Sequence, residues 1–355
     1  MIDCLELCDD CTWLDAEGRE VQLYCGNNAL TCLRPEWDRL LPYSTSDQFF
    51  SLSSWQQLWW KHFGHDYSLH VLTVRDVSGS LAANAPLMMS RGGRPRTLSF
   101  VGGTEVADYL DFIVDRDDAE SLTRTLLSSM RDRLDWDRLA LHCLPQESLT
   151  RRVVQEVYGD AGIEVETERE DVSPFVELRG SWDAYLASLS KKDRHELRRK
   201  LRRAVVDQQA IWLHVETADD LERCMDAFVT LHRLSSANKA AFMTSQMEAY
   251  FRDLCKMALH CGTLRMGVLW VGDVPVSTAL GFAYKGRLYL YNSGYDPAYA
   301  AHSVGIAAVG LVLKDSATEG LEVFDFLQGD EPYKYTLGAS DRLVYKVVCS
   351  RGPRR

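Results

Sequence analysis

The residues best suited to chemistry lie in the last third of the sequence. A strand rich in aromatic residues, Leu288 to Tyr295, leads through a turn-rich loop into an apolar helix that opens at Ser303, Val304 and Gly305. The unpaired N–H groups and the positive dipole end at the start of a helix attract anions. Because this helix is apolar on nearly every side, it should be buried, which would hold its N-terminus rigidly. We therefore expect Ser303, Val304 and Gly305 to bind an anionic group.

Positive charge is concentrated in one segment of an otherwise acidic chain. The 355 residues include 40 basic and 51 acidic ones, for a net charge of −11, whereas residues 191–203 hold eight basic and only two acidic side chains. Such concentration indicates a local anion site, not a general affinity for nucleic acid. Leucines of this stretch form a stripe that predicts one buried helix face, and Lys191, Arg194 and Arg198 lie on another face. A solvated surface helix is the alternative interpretation.

The sequence also repeats itself in outline. Leu69 to Arg91 and Leu264 to Lys285 each read as an alternating apolar strand, a turn and a second strand, which predicts two β-hairpins. An aromatic-rich helical stretch precedes each hairpin and a further strand follows it. The chain is too long for one ordinary core. We predict a duplication, with one domain over residues 1–168 and another over residues 169–355, separated near a charged stretch that ends at Pro174.

Five segments together resemble the GNAT acyltransferase fold, and more closely the double-GNAT proteins. These are the FemAB-like peptidyltransferases and the acetyltransferase-like proteins associated with bacterial cellulose and exopolysaccharide synthesis. The resemblance covers roughly residues 45–350 and is carried by LYLYNSGYDPAYAAHSVG, FDFLQGDEPYKYTLG, LSKKDRHELRRKLRR, SLSSWQQLWWKHFG and DYLDFIVD. It implies an α/β fold of tandem GNAT-like domains with mixed, mostly antiparallel sheets flanked by helices.

The resemblance also implies a function. The expected reaction is transfer of an acyl group from acyl-CoA, with acetyl-CoA as the expected donor, to the amine of a small acceptor such as an amino sugar, an amino acid or a cell-envelope precursor. The C-terminal domain would bind the donor and carry out catalysis, with the CoA pyrophosphate at the helix start. The expected donor-binding strand residues are Asn292, Ser293 and Gly294.

The acceptor side is assigned to the N-terminal domain. There Asp108, Tyr109 and Asp111 follow the third predicted strand and would orient or deprotonate the acceptor amine. Polar residues that merely end a strand are an equally simple explanation. The basic residues Lys191, Arg194 and Arg198 of the C-terminal half complete the expected substrate-binding set, because FemAB-like proteins resemble this chain in a basic helix that binds substrate phosphates.

The same resemblance assigns catalytic roles near the C-terminus. Lys334 would lie against the reacting carbonyl, where its cation offsets the negative charge of the transition state. Tyr333, Asp330, Glu331 and Tyr291 complete the predicted catalytic set, with a carboxylate as the possible base. A cation–π contact on a surface strand is the alternative for Lys334, and capping of a helical turn is the alternative for the two carboxylates.

Two other functions remain open. A FemAB-like transferase would use aminoacyl-tRNA, with the basic helix contacting tRNA or a nucleotide-linked cell-wall precursor. The long helical arm typical of some such enzymes is not evident, since residues 181–210 account for one helix, and tRNA is therefore the less favoured partner. A binding module that keeps the fold without catalysis, acting in polysaccharide assembly, is the third possibility.

The cysteine spacing and the distribution of apolar residues argue against a metalloprotein, a secreted protein and a membrane protein. The ten cysteines are scattered, and only Cys8 and Cys11 have the tight spacing of a zinc ligand pair, so no metal is expected, although Cys4 lies nearby. The sequence begins without a basic and apolar leader and contains no apolar run long enough for a membrane span. These patterns predict a cytoplasmic protein that binds neither DNA nor a metal.

Overall fold

The computed structural model describes residues 7–351, and for residues 7–10 it describes the backbone only. The chain forms two compact units. The first extends to Asp171 and also includes the segment from Leu343 onward, whereas the second covers Val172–Arg342. The predicted domains divide the chain at a neighbouring position, but they place residues 343–355 with the C-terminal half. Those residues group with the first unit because the last strand hydrogen-bonds to a strand of that unit.

The first unit is built on a mostly antiparallel sheet that contains a parallel pair of neighbouring strands. Its strand order is β1-β2-β3-β4-β5-β7-β14, and β6 pairs with β4. The strands are β1 (Leu7–Leu14), β2 (Glu20–Tyr24), β3 (Tyr67–Arg75), β4 (Leu81–Ser90), β5 (Thr97–Phe100), β6 (Ile113–Val114), β7 (Arg138–Pro145) and the last strand, β14 (Ser340–Ser350). The helices are α1 (Ala29–Cys32), α2 (Arg34–Leu40), α3 (Ser53–Phe63), α4 (Ala119–Arg133) and α5 (Leu149–Gly159).

The second unit repeats this plan. Its strand order is β8-β13-β12-β11-β10-β9. The strands are β8 (Glu164–Glu177), which starts in the first unit and enters the second at Val172, β9 (Ile211–His214), β10 (Leu264–Val271), β11 (Val274–Tyr284), β12 (Arg287–Tyr295) and β13 (Val323–Asp325). The helices are α6 (Trp182–Ser188), α7 (Lys191–Leu201), α8 (Ala218–Ser235), α9 (Ala237–Phe242), α10 (Ser245–His260), α11 (Val304–Thr318) and α12 (Pro332–Thr336).

The predicted repeat is confirmed in the order and pairing of the elements. In the first unit α3 precedes the β3–β4 hairpin, and β5 then runs parallel to β7. In the second unit α10 precedes the β10–β11 hairpin, and β12 runs parallel to β13. A helix connects each parallel pair, α4 in the first unit and α11 in the second, as such a crossover requires. The fold class is mixed α/β with mostly antiparallel sheets flanked by helices, as predicted.

Helix α11 forms the centre of the second core. Most of its apolar residues are buried as the sequence predicts, whereas Ile306 and Leu311 are half-buried, and Gly310 lets another helix approach closely. A side chain at Gly310 would lie 3.2 Å from Leu197 and 3.3 Å from Leu201, both on the leucine stripe of the basic segment. That segment was predicted to be part of one helix over residues 181–210, and this was wrong. The chain forms α6 and α7 instead, because Ser190 caps α7 by accepting a hydrogen bond from the Asp193 N–H.

Candidate active site in the second unit

A gap opens where two parallel strands separate. Strand β12 pairs with β13 only over Arg287–Tyr289, although it continues beside β11 as far as Tyr295. Beyond β13, Leu327 adopts a left-handed conformation with φ of 58° and turns the chain. Ligands in α/β folds commonly bind at the carboxyl ends of parallel strands, where the strands diverge. We call the opening between residues 290–295 and residues 327–331 the strand gap.

A β-bulge shapes the β12 side of the strand gap. The register between β11 and β12 shifts between Leu290 and Asn292, so Tyr291 is an extra residue with no counterpart on β11. Bulges bend a strand and redirect its side chains. The Tyr291 ring packs against Phe282 at 5.2 Å and against Phe251 of α10 at 5.5 Å between ring centroids. Tyr291 therefore belongs to an aromatic wall at the base of the gap.

Gly294 allows helix α8 to lie directly on this strand. A Cβ atom at Gly294 would come within 2.6 Å of the backbone at Leu231 and His232, a distance that real Cβ atoms do not adopt. The absence of a side chain therefore determines how closely α8 approaches the strand. The close approach brings the imidazole of His232 to Asn292, and their side chains share a hydrogen bond.

His232 is a buried histidine that the sequence analysis did not select. Its side chain is 1% exposed, and Nδ1 has no hydrogen-bond partner among the described residues. Burial, together with the positive charges of Lys239 and Arg233, lowers the pKa of His232 to about 4, although the hydrogen bond with Asn292 acts in the opposite direction. The imidazole is therefore neutral at physiological pH and positions Asn292 without carrying charge.

The lowered pKa of His232 predicts that the stability of the protein depends on pH. The unfolded chain takes up a proton on His232 below pH about 6.5, whereas the native chain does so only near pH 4. Stability should therefore fall as the pH decreases through this window, with a contribution of up to about 3 kcal/mol from this residue. Urea unfolding at a series of pH values should show a smaller slope for His232→Gln than for wild type. Parallel slopes would contradict the shift.

Lys239 on α9 completes the β12 side of the strand gap. Its ammonium donates a hydrogen bond to the Ser293 carbonyl, with 2.5 Å between Nζ and the oxygen. The Ser293 N–H donates in turn to Oδ1 of Asn292 at 2.9 Å. Burial lowers the pKa of Lys239, and the carboxylate of Glu331 partly offsets this effect. Both main-chain polar groups of Ser293 are thus bonded to side chains.

Lys334 lies on the opposite side of the strand gap and is almost fully buried. Its side chain is 3% exposed, and Nζ donates to the main-chain carbonyls of Leu327, Gln328 and Gly329 at 3.0, 2.9 and 2.9 Å. Oε2 of Glu331 lies 2.9 Å from the same nitrogen. The ammonium therefore ties together the loop that follows β13, and its three protons are directed at acceptors within the chain.

The neighbouring residues differ in exposure. Asp330 is exposed, and the Glu331 side chain is 57% exposed despite its ion pair with Lys334. Tyr333 is half-buried with its ring against Phe326, and burial raises the pKa of its hydroxyl. Among these residues, the two carboxylates are the groups that a ligand in solution can reach.

The predicted anion site lies at the end of β12. Residues Pro297–His302 form a 3-10 turn, Ser303 is left-handed with φ of 60°, and α11 begins at Val304. A side chain at Gly305 would lie 3.0 Å from the ring of Tyr295, so this first turn packs tightly on the strand. The first-turn N–H groups of a helix have no acceptor within the helix. The positive dipole end of a 15-residue helix is thus presented beside the strand gap.

The basic segment reaches this helix start through a residue outside the predicted set. Arg203, which follows α7, donates from Nη1 to the carbonyl of Ala301 at 3.1 Å. Of the predicted basic residues, Arg194 donates to the Leu186 carbonyl at 3.3 Å, whereas Lys191 and Arg198 are exposed. The predicted substrate cations therefore lie along one helix of the same unit, with Arg203 in contact with the loop before α11.

The three residues predicted for the acceptor side belong to the first unit. Asp111 accepts hydrogen bonds from the Thr150 hydroxyl at 2.5 Å and from the Phe112 N–H at 2.8 Å, and burial raises its pKa. Tyr109 is 3% exposed and Asp108 is half-buried. Their contacts organise the segment before β6.

His232, Lys239 and Arg203 were not among the predicted site residues. No local motif marks the first two, because they lie on helices far from the strand gap in sequence. The signal available for them was Gly294, since a glycine in a strand often marks the close approach of another backbone. Arg203 is the last residue of the basic segment. It was not selected because it does not share the predicted helix face of Lys191, Arg194 and Arg198.

Residues 191–335 match the family model described as an acetyltransferase (GNAT) domain. The structure of FemX is similar to this chain with a TM-score of 0.64 and 11% identity, over 88% of this chain and 95% of that one. Residues 191–335 therefore match a GNAT domain, and the chain shares the fold of FemX. The strand gap falls within the residues that the family model matches.

Two further structures share the fold of this chain. One is the C-terminal domain of a putative lysylphosphatidylglycerol synthetase from Agrobacterium fabrum, with a TM-score of 0.57, 13% identity and coverage of 90% of this chain and 92% of that one. The other is the L-PGS of Bacillus licheniformis, with a TM-score of 0.54, 12% identity and coverage of 90% and 92%. No curated protein matches the sequence significantly.

Neither a cluster of metal ligands nor a membrane-spanning helix is found among the described residues. Within residues 7–351, no three His, Cys, Asp or Glu side chains gather as a metal site. Cys4 lies outside the described residues, and the side chain of Cys8 is not described. In the same part of the chain, no helix combines the length and the apolar character needed to cross a membrane.

Proposed function

We propose that this protein transfers an acyl group from acyl-CoA, with acetyl-CoA as the expected donor, to the amine of a small acceptor. Suitable acceptors are an amino sugar, an amino acid or a cell-envelope precursor. The observation that carries the proposal is the succession of a diverging parallel strand pair and a buried helix N-terminus within one unit. The first accommodates an extended thioester arm, and the second attracts a pyrophosphate.

The donor would lie in the strand gap beside residues 292–294 of β12. Both main-chain groups of Ser293 are bonded to side chains, so the amides of a pantetheine arm would displace the Lys239 or Asn292 contact to hydrogen-bond there in the manner of an added strand. From this strand the chain leads to the start of α11. There the N–H groups of Val304 and Gly305, with Arg203 beside them, would bind the pyrophosphate. The exposed cations Lys191 and Arg198 would attract further phosphate charge.

The reaction requires few groups from the protein. The acceptor nitrogen attacks the thioester carbon, a base takes the proton released from nitrogen, the C–S bond breaks as the thiolate departs, and the protonated base returns this proton to the sulfur. Positioning the two reactants supplies most of the acceleration, and a general base contributes roughly 10²- to 10⁴-fold. We assign the base to Glu331 or Asp330, because their carboxylates are exposed beside the strand gap. Lys334 positions the loop that carries them.

Replacing Arg203 tests the donor site. Arg203→Gln should weaken acetyl-CoA binding by roughly tenfold, the effect of one charge-assisted hydrogen bond, with no change in melting temperature. Calorimetric titration of acetyl-CoA measures the affinity directly. Arg199→Gln is the matched control, because Arg199 is already paired with Glu196 at 2.6 Å on the same segment. Equal affinities for wild type and Arg203→Gln would remove the anion site from the proposal.

A tRNA-dependent transferase is the second candidate. The exposed cations of α7 favour it, as does the likeness to FemX in fold. Against it, α6 and α7 contain only 7 and 11 residues and do not form a long arm. Protein purified at low salt should carry CoA if the proposal is correct and RNA if this alternative is correct. Binding of acetyl-CoA without turnover of any amine would favour a binding module in polysaccharide assembly.

A further inference from the structure

The first unit contains a cavity of about 290 Å³ that the proposed reaction does not use. Its floor is one face of strands β4, β5 and β7, where alternate residues point the same way. Met88, Ser99 and Ala140 form a row across these strands. The walls come from Trp59, Tyr67 and the turn after β5, and the described lining contains no Lys or Arg.

A histidine–carboxylate pair lies at one end of this floor. Nδ1 of His142 is 2.5 Å from Oε1 of Glu170, and Oε2 of the same carboxylate accepts the Cys143 N–H at 2.8 Å. His142 lines the cavity, and among the described residues Nε2 has no hydrogen-bond partner. In the neutral tautomer whose Nδ1 proton is donated to the carboxylate, Nε2 presents a lone pair, which accepts hydrogen bonds.

Both oxygens of Glu170 are thus committed to holding this end of the cavity. Burial would raise the pKa of Glu170, but its hydrogen bonds with His142 and the Cys143 N–H, together with the charge of Lys346, lower it overall. The lowered pKa favours the charged form of Glu170. A charged partner that fixes one ring nitrogen leaves the other in a defined orientation and protonation state.

The backbone at Cys143 is in an unusual conformation that supports this arrangement. Its φ is 60°, which costs a non-glycine residue about 1 kcal/mol or more. The turn directs its carbonyl to the Leu110 N–H at 2.9 Å and its thiol to the Ala107 carbonyl at 3.2 Å. Leu110 is itself part of the lining, so the strained residue connects the histidine with the opposite wall. Strain of this kind is concentrated at ligand sites.

The turn after β5 also forms part of the cavity wall. Gly103 has φ of 61°, and a side chain there would lie 3.0 Å from the indole of Trp59. Only a glycine therefore lets this turn close on the indole and place Thr104 and Glu105 at the rim. The lining as a whole combines aromatic surfaces with polar groups. Hydroxyl groups come from Ser90, Thr97, Ser99 and Thr104, a carboxylate from Glu105 and an imidazole from His142.

We propose that this cavity is a separate binding site for a hydroxyl-bearing ligand of sugar size that is uncharged or cationic. The volume is close to the lower end of the roughly 300–1,000 Å³ typical of small-molecule sites. The acceptors require a ligand that donates hydrogen bonds, and the aromatic walls suit the apolar face of a ring. The lack of Lys or Arg in the described lining disfavours a phosphate or carboxylate. The inference does not depend on the proposed acyl transfer.

Methyl NMR tests the proposal at the cavity itself. Protein labelled with [methyl-13C]methionine is titrated with D-glucose, D-glucosamine and glucose 6-phosphate, and the Met88 resonance is assigned with Met88→Leu. The two non-phosphorylated sugars should shift the Met88 methyl in a saturable manner, and the phosphate should bind more weakly. No saturable shift with either sugar, or tighter binding of glucose 6-phosphate, would overturn the proposal.

Substitution of the histidine tests its role. His142→Gln should weaken binding of both sugars by about tenfold, as expected when a buried hydrogen bond is lost. His70→Gln is the matched control, because His70 lies on β3 of the same unit and does not line the cavity. If His142→Gln does not fold, Ser99→Ala on the cavity floor replaces it and should weaken binding several-fold. Unchanged affinity in the folded variant would exclude this site.

Discussion

Lys334→Met should destabilise the second unit by about 2–4 kcal/mol and reduce acyl transfer by roughly 100-fold or more. The methionine fills a similar volume but leaves three main-chain carbonyls and the Glu331 carboxylate without the ammonium that binds them. The loop that follows β13 would then lose its conformation beside the strand gap. Urea unfolding measures the first effect, and steady-state kinetics with acetyl-CoA measure the second.

The kinetics separate positioning from binding. Because Lys334 acts on residues 327–331 and the donor is assigned to β12 and α11, kcat should fall while the KM for the donor changes little. Lys314→Met is the matched control, since Lys314 is an exposed lysine on α11. A variant with wild-type stability and activity would show that the buried ammonium neither supports the loop nor contributes to catalysis.

Gly294→Ala should destabilise the second unit by about 2–3 kcal/mol or more and abolish the arrangement of His232 and Asn292. The added methyl would lie 2.6 Å from backbone atoms of α8, and backbone cannot move aside as a flexible side chain can. The helix must therefore shift away from β12. The measurements are the free energy of unfolding and the affinity for acetyl-CoA, and both should decrease.

The neighbouring residue provides the control for this substitution. Ser293→Ala retains the strand, the peptide that accepts from Lys239 and the approach of α8. It should change stability by only a few tenths of a kcal/mol, as is usual away from special features. If Gly294→Ala were equally mild, the close contact between α8 and β12 would not be a requirement of the fold.

The local patterns of the sequence were sufficient to predict many of the helices and strands of the second unit. The apolar run after Ser303 predicts a buried helix, and α11 extends over Val304–Thr318 with Gly320 left-handed just beyond its end. The hairpins followed from alternating apolar residues on either side of turns, and the duplication followed from their recurrence. The leucine stripe predicted the buried face of α7. Such features depend on neighbours along the chain, so composition and spacing are enough to specify them.

The boundaries of the two units could be predicted only in part from the sequence. Nothing in the spacing of residues 343–350 indicates that they pair with β7, which lies about 200 residues earlier in the sequence. Strand pairing at that separation depends on the assembled sheet, and an alternating apolar pattern suits many possible neighbours. Residues 343–350 were therefore predicted to lie in the C-terminal domain, whereas they belong to the first unit.

The candidate site depended most on tertiary structure. The sequence by itself determined the strand, the helix start and the basic segment, because each has a local signature. Only the fold brought Lys239 to the Ser293 carbonyl, His232 to Asn292 and Arg203 to the loop before α11. Only the fold also showed that the Lys334 ammonium is enclosed by main-chain carbonyls. Hydrogen bonds between distant segments form when helices pack on a sheet. This packing determines which of many possible partners each side chain contacts, and the sequence pattern alone does not specify it.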